Sequence, residues 1–409
     1  GNTLIGGQAG DALTTGGFNT VVGKSALSTE DTNGYCTAVG YQALMTQDAG
    51  ADALNTAVGF DAGGDITTGT NNTLMGHEAG NALTTGSYNI AIGKGALGAE
   101  DAHGRNVAIG HQALTNQDAG ADAYNVAVGF YAGEAISTGV NNVLIGGEAG
   151  DAITTGGENI AMGRSALSAK TTGGGDVAIG HQALQDADGG DAFNVAVGYR
   201  AGRNITSGIR NILIGASAGD TLTAGLDNIA IGYQALATED DHSYNTAVGH
   251  QALKAQDAGA DAYNVAMGYR AGYAVTSGVN NITIGAEAGI ALTTGSYNVA
   301  VGHGALATED TGGQNVAIGV NALNTLNYAG NGMNVAVGYN AGVLMTTGLN
   351  NTLIGGSAGG AILGATDNVC IGTYSGDGIT TGVRNTAVGT YALSSEDANG
   401  YNVAVGHGT

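Results

Sequence analysis

The sequence predicts an all-β protein, a parallel β-solenoid of about 24 turns of 17–19 residues that forms one repeat domain over residues 1–409. Three observations favour this fold class. A five-residue segment of Asn, a variable residue, Ala, Ile or Val, and Gly recurs 24 times. Successive copies start 17 residues apart with a recurring step of 19, a repeat too short to be a domain. Glycine supplies 76 residues, and each glycine inside a helix costs about 1 kcal/mol relative to Ala, so helical turns are disfavoured.

The five-residue segment is the predicted strand of each turn, because its short alternating pattern is typical of a strand. Parallel stacking would place equal positions of successive turns about 4.8 Å apart. We expect the Asn to form a ladder at a corner, with amides pairing from turn to turn. The Gly would end the strand at positive φ or at a close backbone approach, so that Gly6, Gly23 and Gly40 stack in a column. The first structural repeat residues are Asn2, Gly6, Asn19, Gly23, Asn55, Gly59, Asn72, Gly76, Asn89 and Gly93.

Two kinds of turn are predicted to share one core. In a Gly-type turn, Ala-Gly is followed three residues later by a large apolar residue, as at Gly63 and Ile66. In a Leu-type turn, the Ala is followed directly by Leu, as at Leu44. Each turn therefore supplies a large side chain from one of two backbone positions, as dense packing of a narrow core requires. Four turns make a 70-residue cassette, and the cassettes start near residues 2, 72, 142, 211, 281 and 351.

The middle residue of the strand is Ala in most turns and Leu once in most cassettes, as at Leu4 and Leu74. It points to the face opposite its two neighbours in the strand. We interpret this small-residue face as an interface, most simply the axis of a homo-oligomer. Cys370 occupies the same position, which would allow contact with the same residue of another chain.

Several segments resemble a known repeat. The sequences NTAVG at 55–59, NIAIG at 89–93 and NTAVGTYA at 385–392 are similar to the heads of trimeric autotransporter adhesins (the YadA-like β-roll) and to repeats of phage tail fibres. The resemblance covers essentially the whole chain. It implies a left-handed parallel β-roll, a homotrimeric rod with three chains around a common axis, and a place outside the cell, on the cell surface or on a virion.

The charge balance restricts the partners. Eleven basic and 34 acidic residues give a formal charge of -23, which repels phosphate backbones and anionic membranes, so we expect no nucleic-acid binding. No run of about 18 apolar residues occurs, so no membrane insertion is predicted in this segment. The chain starts and stops within a repeat, and we expect it to be a piece of a longer protein.

Acidic residues at equal positions of neighbouring turns suggest a calcium site. Stacking would bring like charges to about 4.8 Å, and oxygen-rich clusters suit Ca²⁺. A solvated acidic ridge that keeps the protein soluble is the alternative. Glu30, Glu100 and Glu239 lie beside three of these residues in sequence. The paired residues are Asp31 with Asp48, Asp101 with Asp118, and Asp240 with Asp257, and the 19-residue turns add Asp52, Asp122 and Asp261.

Other polar residues predict no catalysis. Six of the eight His residues follow the repeat Gly, a position that also accepts Tyr, Lys and Gly and that we interpret as a tolerant exposed corner. Cys36 and Cys370 are too far apart along the solenoid to form a disulfide within one chain. Tyr residues before the Asn either buttress corners or form a glycan- or receptor-binding stripe. They are Tyr35, Tyr88, Tyr124, Tyr263, Tyr297 and Tyr401.

The sequence therefore indicates a structural fibre segment of an extracellular adhesin or virion tail fibre, acting as a rigid spacer that presents a binding tip. Direct binding of glycans or cell-surface receptors by the rod is the alternative. Ice binding by the Thr-Thr-Gly corners is less favoured, because the Leu-type turns interrupt the threonine ladder. We expect no enzyme activity, since no polar arrangement is unique in the chain, and no cofactor other than calcium.

Overall fold

The computed structural model describes residues 1–32, 34–395 and 398–409. Within these ranges the chain consists of three-residue β-strands joined by turns, and no α-helix occurs. The prediction of an all-β parallel solenoid of about 24 turns is confirmed. The chain divides into two compact units, Gly1–Ile209 and Arg210–Thr409.

The first unit contains strands β1 to β12. Their bounds are Thr3–Ile5, Thr20–Val22, Thr37–Val39, Thr56–Val58, Thr73–Met75, Ile90–Ile92, Val107–Ile109, Val126–Val128, Val143–Ile145, Ile160–Met162, Val177–Ile179 and Val195–Val197. The second unit contains strands β13 to β24. Their bounds are Ile212–Ile214, Ile229–Ile231, Thr246–Val248, Val265–Met267, Ile282–Ile284, Val299–Val301, Val316–Ile318, Val335–Val337, Thr352–Ile354, Val369–Ile371, Thr386–Val388 and Val403–Val405.

Within each unit, every strand pairs in parallel with the next strand along the chain, and equal repeat positions are opposite one another. For example, Ala91 pairs with Ala108 and Ala230 pairs with Ala247. One Asn-to-Asn step therefore closes one turn of the coil, as the repeat length predicted. The register holds across the 19-residue steps as well, where Ala108 pairs with Ala127, because the two additional residues lie in the connecting turn.

The repeat glycines form the predicted column. Gly6 and Gly23 have φ values of 135° and 146°, in a region that L side chains rarely adopt. A Cβ atom on Gly6 would lie 2.6 Å from the carbonyl oxygen of Gly23, and a Cβ on Gly23 would collide with that of Gly40. Both explanations of this glycine hold at once: it turns the chain, and it leaves room for the next turn.

The core is a narrow column filled from alternating positions. A Cβ atom on Gly63 would lie 2.9 Å from Ile66 Cδ1 and 3.1 Å from Leu44 Cδ2. The Leu of a Leu-type turn thus projects into the space that the next Gly-type turn leaves open. Leu44, Ile66 and Leu74 are all completely buried. The predicted sharing of one core by two turn types is confirmed.

The predicted face of the strand was wrong. The middle residues point into the core and not to an interface: Ala317 and Cys370 are completely buried within their own chain. The flanking Ile318 and Ile371 point outward and are 38% exposed. Ala fits the interior because the turns already supply the large side chains, and a second large residue from every strand would overfill the column. Buried Leu74 is accommodated where Gly63 and Gly80 lie beside it.

The described residues include no helix of the length and apolarity needed to cross a bilayer.

Candidate functional site

Buried Asn side chains hold the corner of each turn. Asn72 Oδ1 accepts a 2.9 Å hydrogen bond from the backbone N–H of Asn89 in the next turn, and Asn72 Nδ2 donates to the carbonyl of Gly86 at 2.9 Å. Some amides also pair directly, as Asn159 Nδ2 does with Asn142 Oδ1 at 3.2 Å. The predicted ladder therefore exists, but it runs mainly through the backbone. Each Asn satisfies backbone groups that the tight corner would otherwise leave unpaired.

A second buried position lies eleven residues after the Asn. In Gly-type turns it holds the large apolar residue, whereas in most Leu-type turns it holds a completely buried polar side chain. The Leu of those turns already fills the apolar column, so the later side chain lies against the polar corner. Asn125 Nδ2, for instance, donates to Gln117 Oε1 at 2.5 Å. These buried polar residues are Glu30, Gln47, Glu100, Gln117, Lys170, Glu239, Gln256 and Glu309.

Lys170 and Asp176 depart from the repeat and contact each other. Lys170 stands where most other Leu-type turns have Glu or Gln, and Asp176 stands at the repeat Asn position. Lys170 Nζ lies 2.9 Å from Asp176 Oδ2, and both side chains are fully buried. Lys170 Nζ also donates to the carbonyl oxygen of Gly190 at 2.6 Å. In the equivalent turn, Asn106 Nδ2 donates to Glu100 Oε2 at 3.4 Å. The pair is therefore exchanged: Lys170 donates to Asp176, whereas in the equivalent turn the corner Asn donates to the Glu. The ladder is preserved, since Asp176 Oδ1 accepts a 2.8 Å hydrogen bond from Asn194 N.

Three clusters contain most of the acidic residues that the sequence singled out. In each cluster the candidate ligand atoms lie within 4.8 Å of one another. The predicted pairings of Asp31 with Asp48, Asp101 with Asp118, and Asp240 with Asp257 all occur within them. The Glu30 group consists of Glu30, Asp31 and Asp48; the Glu100 group of Glu100, Asp101, His103 and Asp118; and the Glu239 group of Glu239, Asp240, His242 and Asp257.

The histidines of two groups turn back onto the buried glutamate. Glu100 Oε1 accepts the backbone N–H of His103 at 3.1 Å, and Glu239 Oε1 accepts that of His242 at 3.3 Å. The ring nitrogen Nδ1 of His242 lies 2.7 Å from Glu239 Oε1 and 3.7 Å from Asp240 Oδ1. The Nδ1 atom of His103 lies 3.7 Å from Glu100 Oε1.

Burial and crowding of negative charge shift the titration of these groups. Desolvation and the neighbouring Asp118 and Asp101 raise the pKa of Glu100 to about 7. Desolvation likewise raises the pKa of Glu239, although His242 opposes the shift. Burial lowers the pKa of His242, but its hydrogen bond to Glu239 and the charges of Glu239, Asp240 and Asp257 outweigh this effect, so that the pKa of His242 is raised.

The additional aspartates of the 19-residue turns lie outside these three clusters. Asp122 Oδ2 forms a 3.0 Å ion pair with Arg105 Nε, and Asp122 Oδ1 accepts from Gly104 N at 3.2 Å. Asp52 and Asp261 hold the equivalent turn positions and are exposed.

Histidines after the repeat Gly join surface aromatic stacks. His77 stacks on Phe60 at a centroid distance of 5.0 Å, and Phe60 stacks on Tyr41 at 5.1 Å. A second stack contains Tyr233, His250 and Tyr269. The repeat spacing brings these rings of neighbouring turns together.

The tyrosines before the Asn are exposed and lie in the left-handed backbone region, with φ of 62° at Tyr88 and at Tyr297. Some of them contact a neighbour in the adjacent turn. Tyr244 and Tyr263 stack at 5.0 Å, and Arg105 Nη1 donates to the hydroxyl of Tyr124 at 2.6 Å.

Both cysteines are free thiols inside the core. Desolvation raises the pKa of Cys36 to about 11 and that of Cys370 to about 12. The contact between chains that the sequence suggested for Cys370 is therefore wrong, because its side chain is completely buried.

The Thr-Thr corners use part of their hydrogen-bonding capacity internally. Thr84 Oγ1 donates to the carbonyl oxygen of Asp101 in the next turn at 2.8 Å, and Thr14 Oγ1 donates to that of Asp31 at 3.0 Å. The residue that lies next to each of these threonines in the following turn is therefore an aspartate.

Sequence reasoning missed His103 and His242 as members of the acidic clusters. The signal was present as Glu-Asp-x-His at 100–103 and 239–242, which are the two histidines that do not follow a repeat Gly. The pairing of Lys170 with Asp176 was missed as well, although both residues depart from the repeat and lie only six positions apart.

No protein-family model matches this sequence, and no curated protein matches it either.

Proposed function

We propose that this chain is a structural fibre segment of an extracellular adhesin or virion tail fibre, in which three copies pack as a left-handed, homotrimeric rod that presents a binding tip. The observation that carries the proposal is a column of Val, Ile and Met on the outward face of the strands within each unit. All-parallel sheets are normally covered on both faces, and large exposed apolar patches mark interfaces.

The outward column suits another copy of the same chain. The third strand residue is Val, Ile or Met in all 24 strands, and none of the outward strand residues is charged. The third strand residues Ile318 and Ile354 and the first strand residue Ile282, which lies on the same face, remain 38 or 39% exposed. A repeating column is matched best by a partner with the same repeat spacing, and a second copy of this chain has that spacing. The strongly acidic remainder of the chain keeps such an assembly soluble.

Light scattering after size-exclusion chromatography tests the assembly. Three chains of 39.9 kDa give an expected mass of about 120 kDa. The double variant Ile282→Lys, Ile318→Lys places two charges on the outward face and should yield monomers. Leu344→Lys is the matched control, because Leu344 is 49% exposed but lies in a turn. A monomeric parent protein, or trimers that persist in the double variant, would contradict the proposal.

Glycan or receptor binding by the sides of the assembly is the second candidate. The exposed aromatic stack of Tyr41, Phe60 and His77 favours it, because aromatic rings are common contacts for sugars. These rings cover one another's faces, so mainly their edges are presented. A glycan array probed with the parent and with Tyr41→Ala, Phe60→Ala tests this function: a signal lost in the variant supports it, and no signal for the parent removes it.

A further inference from the structure

We propose that Lys170 and Asp176 condense into an intramolecular isopeptide bond, which joins Nζ of the lysine to Cγ of the aspartate. The bond is a covalent modification that the folded chain makes on itself. It does not depend on the function proposed above.

The two reacting groups are held against each other inside the chain. Lys170 Nζ lies 2.9 Å from Asp176 Oδ2, and both side chains are completely buried. A carbon–oxygen bond of about 1.2 Å then places the carboxyl carbon Cγ within about 4.1 Å of Nζ. All four lysines lie in the described part of the chain, and Lys170 alone is buried. Fixed proximity of an amine and a carboxyl group replaces an encounter between two molecules, which favours their reaction.

The hydrogen bonds of the site already suit the amide product. Asp176 Oδ1 accepts from Asn194 N at 2.8 Å, and the side chain of Asn194 also donates to this carboxylate. These donors stabilise the negative charge that develops on Oδ1 during attack at Cγ. Lys170 Nζ donates to Gly190 O at 2.6 Å, a hydrogen bond that the amide N–H would keep. Asp176 Oδ2 faces Lys170 and accepts no other hydrogen bond from the described residues, so it is the oxygen that the reaction can release.

The step conserves atoms and electrons and needs no co-reactant. A proton passes from the Lys170 ammonium group to Oδ2 of Asp176, which gives a neutral amine and a carboxylic acid. The lone pair on Nζ forms a bond to Cγ, and the Cγ–Oδ2 bond then breaks with its electron pair. A second proton from Nζ goes to the leaving hydroxyl group. One water molecule is released, and the amide keeps one N–H.

Burial favours both the reactive form of the pair and the product. Desolvation raises the pKa of Asp176, although Lys170 opposes the shift. A higher carboxyl pKa favours the neutral acid and amine over the ion pair. Condensation removes two charges whose burial is costly and leaves a neutral amide in their place. In the equivalent turn, Glu100 and Asn106 contact each other in the same corner but offer no amine.

Mass spectrometry of the denatured 409-residue chain tests the proposal. We expect an intact mass lower than the sequence mass by one water molecule. Trypsin cleaves after Lys and Arg but not after an acylated lysine. A digest of the unfolded chain should therefore yield residues 165–200 as one peptide that lacks one water. Fragmentation of this peptide should show a closed ring between Lys170 and Asp176.

Lys170→Gln is the matched variant, because Gln47 is buried at the same repeat position and carries no amine. This variant should have its full sequence mass, whereas the exposed Lys94→Gln should still lack one water. Dehydration of Asp188 beside Gly189 would give the same loss of mass but would leave Lys170 open to trypsin.

The peptide map of the parent chain decides the question even if a variant misfolds. No loss of water from the parent, tryptic cleavage after Lys170 in the parent, or a water still missing from Lys170→Gln would each overturn the proposal.

Discussion

At the scale of single residues, the buried position eleven residues after the repeat Asn determines whether the corner of a Leu-type turn contains a charged side chain. Side chains of opposite charge occupy it, with Glu309 and Lys170 both completely buried. Each is tolerated because the neighbouring backbone and corner side chains supply matching partners. Glu309 accepts from Gly312 N at 2.8 Å, and Lys170 pairs with Asp176. The turn is therefore a fixed frame into which different polar pairs fit.

Exchange of the Lys170–Asp176 pair tests this coupling. Asp176→Asn alone leaves a buried ammonium group without its counter-ion, and Lys170→Glu alone places two carboxylates together, so each should cost about 3–5 kcal/mol. The double variant recreates the arrangement of Glu100 and Asn106 and should regain most of that stability. Denaturant unfolding of the double-mutant cycle measures the coupling, and additive effects of the two changes would refute it.

Glu309 predicts a pH dependence of stability. Burial raises its pKa above the ordinary value of 4.5, so the folded chain binds a proton that the unfolded chain has already released. Its stabilising contribution is complete below that ordinary value and is lost as pH rises through the folded pKa. Glu309→Gln should therefore gain stability relative to the parent as the pH rises from 4 to 8. Thermal melting at several pH values measures the difference, with the exposed Glu158→Gln as control; parallel curves for parent and Glu309→Gln would contradict it.

At the scale of the element, each strand has only three residues and depends on its neighbours for stability. Its middle residue packs inside, its flanks face outward, and its closing Gly contacts the next Gly. No isolated strand of this length would be stable in water. The strand exists because its register places Ala on Ala and Gly on Gly in consecutive turns.

The adjacent residues Gly146 and Gly147 differ in whether the structure has room for a side chain. Gly146 has a φ of 137°, and a Cβ there would lie 2.6 Å from Gly163 O, whereas a Cβ on Gly147 would meet nothing nearer than 3.9 Å. Gly146→Ala should destabilise the protein by at least about 2 kcal/mol, because both strain and the backbone collision oppose it. Gly147→Ala should change stability little. Hydrogen exchange of strands β9 and β10 gives the local effect, and equal protection in the two variants would contradict this account.

At the scale of the whole molecule, the structure is built by repetition within each unit. Each strand pairs with its neighbours in sequence, so stability arises from the turns and their adjacent contacts. The four-turn cassette is the packing period, because buried strand Leu residues recur beside paired Gly-type turns, as Leu74 and Leu144 show.

Deletion of one cassette should preserve the fold. Removing residues 72–141 joins Asn71 to Asn142 and places Leu144 beside Gly63 in the position of Leu74. Removing the two turns 72–105 instead places Ala108 in the position of Leu74. The cavity left by the smaller side chain should lower the stability by about 2–5 kcal/mol. We expect a melting temperature close to that of the parent for the first deletion and a lower one for the second. Equal melting temperatures for the two deletions would show that the cassette is not a packing unit.

The sequence alone determined the length of a turn, the parallel register and the glycine column. All three follow from the length of the repeat, because residues that recur every 17 positions stack on one another when one repeat closes one turn. It also identified the alternation of Leu44 with Gly63 and Ile66 as shared core filling, because the large residue moves between two fixed positions.

Only the tertiary structure decided which face of the strand is buried. Both faces are apolar, and the larger Val and Ile residues point outward because Leu and Ile from the turns already fill the core. It also decided that His103 and His242 return to a buried glutamate, and that Lys170 lies against Asp176. Such contacts depend on how each turn bends and on what lies in the turns beside it, and a repeat period carries no information about either.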